Sequence, residues 1–110
     1  MPDILIFNID LIDYNSLNVY KNRIDKLFED NIVINEINYK LVGIIFHKNN
    51  NHYMSLSLNL NNILNANLDR WLFYDDLKSN IQILDNKDIG YNNIRKSNIG
   101  CLFVYLIYKD

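Results

Sequence analysis

One cysteine, one proline and three glycines among 110 residues already exclude several classes of protein. A lone Cys101 cannot close an internal disulfide or supply the paired thiolates of a cysteine-rich zinc site, which agrees with a reducing compartment. Turns must be built with little glycine or proline. Asparagine, heavily used here together with isoleucine, tolerates the left-handed backbone region and takes that part, so Asn49, Asn50 and Asn51 read first as turn material. Excess positive charge is also missing. A net charge of -2 and a pI near 5.5, with Lys and Arg scattered rather than banded, leave no footprint for nucleic acid. No apolar run nears the ~18 residues of a membrane span. The apolar start at residues 4–6 is too short, and lacks the basic leader, for a signal peptide. The expectation is an intracellular, soluble protein, cytoplasmic or nuclear, with neither membrane nor nucleic acid as partner and with no cofactor or metal.

What is present is an ordinary globular balance, 49% hydrophobic and 22% charged, at a length that supports one core. Residues 3–10 read as a buried strand opened by Pro2, a position where the missing donor does no harm. Residues 11–29 place Tyr14, Leu17, Tyr20, Ile24, Leu27 and Phe28 at intervals of three and four, which fits a weak amphipathic helix or a structured loop. Residues 31–34 form a brief β-branched segment. Residues 77–84 are a candidate short strand, with Ile81 and Ile83 alternating against polar neighbours. Residues 85–100 read as polar and irregular. Residues 101–108 are a continuous apolar run, predicted as a strand buried on both faces with a neighbour on each side. Six or so strands against at most one helix make the fold mostly β with minor α, in an antiparallel sheet.

The centre of the chain is residues 39–76. Apolar and β-branched residues at 41–46, turn residues at 48–51 and an alternating run at 53–60 predict a hairpin. The chain then loops through residues 61–69 and returns as a strand at residues 71–75. Pairing about Leu64 puts Tyr53 opposite Tyr74 and His52 beside Asp75, because positions equidistant from a turn face one another. An imidazole with one nitrogen held by a carboxylate is the base half of a nucleophilic triad. Each of these residues also has a plainer reading. His52 is a polar residue after a turn, and His47 has no acid placed beside it. Asp75 and Asp76 are a solvated turn, Trp71, Phe73 and Tyr74 are packing, and Cys101 is a buried, inert thiol.

Five segments in order resemble the C-terminal part of the ubiquitin-specific protease catalytic domain, a papain-like family of cysteine peptidases that cleave after the ubiquitin C-terminus. Pro2 and Leu5 match its opening strand, and Tyr39, Leu41 and His47 the strand leading to its Gly-His-Tyr box. His52 and Tyr53 match the box itself. Trp71, Tyr74 and Asp75 match its Trp-aromatic-Asp segment, and Leu106 and Tyr108 its closing strand. The resemblance implies a single partial domain, about the last third of the family's fold, built as the β-sheet palm. It makes His52 the general base, Asp75 its orienting partner and Asp76 an auxiliary acid. Tyr53 would line the channel for the Gly-Gly tail of ubiquitin. Asn51 stands where the family usually has glycine, at the point where substrate backbone approaches. The family's Gly-Asn-Thr-Cys box and its zinc-binding cysteine pairs have no counterpart here. The implied partners are ubiquitin or a ubiquitinated protein and a Cys-bearing N-terminal fragment; the alternative is an inactive remnant that binds ubiquitin or another protein.

Overall fold

The computed structural model describes residues 2–9, 20–48, 52–59, 70–78, 80–85 and 89–108. Within them lie seven strands, β1 (Ile4–Asn8), β2 (Asn31–Ile34), β3 (Ile37–Lys48), β4 (His52–Leu58), β5 (Arg70–Asp75), β6 (Gln82–Asp85) and β7 (Gly100–Ile107). Two helices accompany them, α1 (Lys21–Leu27) and α2 (Ile89–Ser97). All the strands join one antiparallel sheet in the order β1-β7-β3-β4-β5-β6, with β2 paired to the first part of β3. The architecture is α+β, and among the described residues no helix is long and apolar enough to cross a membrane.

Alternation decides which face is buried. On β4, Met54, Leu56 and Leu58 are buried, and on β5 Trp71 and Phe73 join them on the same face. Tyr39, Leu41 and Ile44 of β3 and Phe103 and Tyr105 of β7 complete the inner layer, on which Ile24 of α1 and Tyr91 of α2 pack. Stacked Phe28 and Phe103 rings, 4.2 Å apart, and tilted Trp71 and Tyr91 rings, 5.2 Å apart, tie the segment after α1 and α2 itself to the sheet. A polar clamp reinforces them. Arg95 donates to the Asp30 carboxylate at 2.7 Å and to the Phe28 carbonyl at 2.8 Å, and the Tyr91 hydroxyl donates to Asp30 at 2.9 Å.

The outer face keeps much apolar surface. Ile4, Ile6 and Ile45 are exposed there with Tyr53 and Tyr74. The strand at the end of the chain is flanked on both sides, by β1 and β3, as its composition predicts. It is not buried on both faces, however: Leu102, Val104 and Leu106 point to the outer side and remain half-buried. In β6 it is Leu84 that turns inward, whereas Ile83, and Ile81 just before the strand, face water. Residues 89–97, expected to be irregular, form the second helix. Its apolar residues are Ile89, Tyr91 and Ile94 among polar ones, and the core contact through Tyr91 supplies what a largely polar sequence does not.

The β2–β3 connection turns on Asn35 and Glu36, both at positive φ, 50° and 67°. Two successive left-handed residues between paired Ile34 and Ile37 make the tight hairpin turn for which Asn-Gly is the preferred pair. Glu36 carries a Cβ in a region that disfavours it. Replacing Glu36 by glycine should therefore raise stability by up to about 1 kcal/mol; an unchanged or lower urea midpoint would contradict the strain assigned to this turn.

Candidate functional site

The site forms where β4 begins and β5 ends. Observed pairs are Met54 with Asp75, Ser55 with Tyr74 and Leu56 with Phe73, so the pairing of Tyr53 with Tyr74 expected from the sequence is corrected by two residues. A long connection cannot set register as a tight turn does; the buried pairs Leu56–Phe73 and Leu58–Trp71 set it instead. A slip of two preserves the face. His52, Met54 and Asp75 therefore still share the inner side, with the histidine diagonal to the acid rather than opposite it.

His52 Nε2 lies 2.5 Å from Asp75 Oδ1. An ionised carboxylate only accepts, so in the neutral imidazole Nε2 carries the proton and Nδ1 holds the lone pair. No hydrogen-bond partner for Nδ1 occurs among the described residues. Side-chain exposures of 16% for His52 and 12% for Asp75 keep bulk water from competing for the bond. Asp75 Oδ1 also accepts from the Leu77 backbone N–H at 3.0 Å. The bond from His52 first, then that from Leu77, holds the Asp75 carboxyl below its ordinary 3.8 despite the opposing effect of burial. Asp76 adds a second carboxylate. Its Oδ1 lies 3.2 Å from the same Nε2, and its Oδ2 accepts from the Tyr53 N–H at 3.1 Å.

A carboxyl group that ionises more readily in the folded state stabilises the fold at pH values above its unfolded pKa. That stabilisation is lost as pH falls through the folded value. Stability should therefore drop as the pH is lowered below about 4, and Asp75→Asn should flatten that acid limb. Urea midpoints measured from pH 6 to pH 2 test this, and identical limbs in the two proteins would refute it.

Other candidate residues fall elsewhere. Tyr53 points to the opposite face from His52, exposed and stacked on His47 at 4.5 Å. Asn51 lies outside the described residues. Cys101 is half-buried rather than fully buried, its Sγ donating to the Ile45 carbonyl at 3.3 Å. It sits on β7, across β3 from β4, and two strand spacings alone separate it from His52 by roughly 10 Å. Burial pushes its thiol pKa up, so it is a weak nucleophile at neutral pH. A ubiquitin-based thiol-reactive probe should leave the chain unlabelled; rapid labelling lost on Cys101→Ala would reverse that assignment. Sequence reading did not single out Asp30 and Arg95, whose pairing across sixty-odd positions has no local signature.

Beside Asp75 a cleft of about 490 Å³ opens, lined by Phe73, Leu77, Lys78, Asn80 and Gln82 as well as the acid itself. Comparison with family models, with curated proteins and with solved structures finds no match to this chain.

Proposed function

We propose that this chain is the base half of a thiol-dependent hydrolase of the ubiquitin-specific protease kind. The observation that carries the reading is the shielded 2.5 Å bond from His52 to Asp75, which leaves Nδ1 as the basic nitrogen. The resemblance of five ordered segments supplies the substrate class, the ubiquitin C-terminus, and the likeness of the antiparallel sheet to a palm. Asp76 Oδ1 approaches the same imidazole nitrogen and adds a second negative charge beside it. His52 Nδ1 would take the proton of a thiol supplied by an upstream piece or by a partner chain. The thiolate would attack the isopeptide carbonyl, the imidazolium would return its proton to the departing amine, and water would then release ubiquitin from the thioester. Asp75 stabilises the imidazolium throughout.

The test is turnover of a ubiquitin-amide reporter. The chain alone should show none. Mixed with a fragment carrying a Gly-Asn-Thr-Cys box it should show turnover that depends on both partners. A second reading, a remnant that binds without catalysis, is favoured by the apolar outer face that Ile4, Ile6 and Tyr74 leave to solvent. Saturable ubiquitin binding with no turnover in the mixture would select it.

A further inference from the structure

We propose that His52, Asp75 and Asp76 bind one divalent transition-metal ion, zinc by preference, and that the bound ion silences His52 as a base. The three side chains each offer a ligand atom, and these atoms lie within 4.8 Å of one another. Two carboxylate oxygens, Asp75 Oδ1 at 2.5 Å and Asp76 Oδ1 at 3.2 Å, converge on a single imidazole nitrogen. One N–H serves one of them well; a metal ion serves both. Tetrahedral zinc with bonds of ~2.0–2.1 Å places its ligand atoms roughly 3.3 Å apart. The Nε2 to Asp76 distance already fits, and the Nε2 to Asp75 distance must open by less than about 1 Å.

Two further features suit an ion. The backbone N–H of Leu77 donates to Asp75 Oδ1 and that of Tyr53 to Asp76 Oδ2, fixing both carboxylates as outer partners of metal ligands do. Asp75, though mostly shielded, lines one wall of a cleft, which gives the ion a way in and room for a water as fourth ligand. One imidazole with two carboxylates suits zinc or manganese better than magnesium or calcium, which favour all-oxygen sites.

The consequence for His52 follows from proton bookkeeping. An ion on Nε2 takes the lone pair there, so the one ring proton moves to Nδ1 and none is released. Nδ1 then has no lone pair with which to accept a thiol proton. Ion binding stands without the hydrolase reading, whereas the silencing rests on it.

Metal-stripped full chain titrated with zinc chloride in a calorimeter should bind one ion per chain. Asp76→Asn should weaken binding by at least about tenfold, since loss of an outer partner alone costs ~10–100-fold, and His47→Gln should leave it unchanged. Cobalt chloride should give the d–d absorption of a low-coordinate site with nitrogen and oxygen ligands in the unaltered chain. This reports on the site even if Asp76→Asn fails to fold. No saturable binding, binding indifferent to Asp76→Asn, or a sulfur-to-cobalt charge-transfer band from Cys101 would overturn the site. In the two-fragment assay, zinc should inhibit with a midpoint that shifts with Asp76→Asn as the binding constant does, and a chelator should restore turnover. Zinc binding with no turnover in any mixture condemns the hydrolase reading and the silencing together, and leaves the metal site standing. Turnover that is indifferent to saturating zinc overturns the silencing alone.

Discussion

His52→Ala should abolish ubiquitin-amide turnover by the chain paired with a Cys-bearing fragment, a loss of ~10³-fold or more. Without the imidazole the thiol keeps its proton, and the departing amine has no acid. Asp75→Asn tests a different thing. The amide keeps the shape of the carboxylate but presents either an oxygen or an N–H to Nε2, and it cannot stabilise an imidazolium. It also frees the ring to place its proton on Nδ1. The expected loss is ~10² to 10⁴-fold, the range in which an orienting acid matters through tautomer and charge. Because Asp76 approaches the same nitrogen, some of that loss should be recovered in Asp75→Asn and removed again in the Asp75→Asn, Asp76→Asn double variant. Normal turnover with His52→Ala in a pair that still binds would show that the base assignment is wrong and that another group activates the thiol.

The site was more legible in the sequence than the fold around it. Alternation along residues 53–60 specifies which side chains face the core, and it puts His52 on the same side as the acid two strands' length away in sequence. Face parity survives a register error of two, which is why the His52–Asp75 contact could be anticipated from a pairing that was itself displaced. What alternation does not carry is the exact partner across a long connection; there the largest buried side chains decide. Helix α2 was hidden for a related reason. Asn92, Asn93 and Lys96 give it a polar surface, and its one fully buried aromatic, Tyr91, finds Trp71 from a different element. Exposure of Ile81 and Ile83 was hidden too, because an edge strand buries residues according to what lies above it, and hydropathy alone assigns the isoleucines inward. The Asp30–Arg95 clamp could not be read at all: ion pairs between distant positions have no period.

The largest expected effect on stability is that of Trp71→Ala, at about 3–5 kcal/mol. Trp71 is 1% exposed, paired with Leu58 on one side and Leu84 on the other, and packed against Tyr91. Its removal empties the space between the sheet and α2, and β5 is the strand that carries Asp75. For a chain of this size total stability is on the order of 5–15 kcal/mol, and each 1 kcal/mol moves the melting temperature by ~4–8 °C. Trp71→Ala should therefore lower Tm by roughly 12–40 °C, or leave the chain unfolded. Trp71→Phe separates packing from any specific indole role. The indole Nε1 is buried with no hydrogen-bond partner among the described residues, so the phenyl ring gives up volume and van der Waals contact but also removes a desolvated donor that no described group satisfies. The net cost should be under about 2 kcal/mol. Both variants should be followed by thermal melting together with the pH dependence of the melt. If Trp71 acts by packing alone, Trp71→Phe keeps the acid limb contributed by Asp75, because the β4–β5 end remains in place. A Phe variant as destabilised as the Ala variant would mean that the indole N–H has a partner that holds β5, and the packing account of Trp71 would have to be given up.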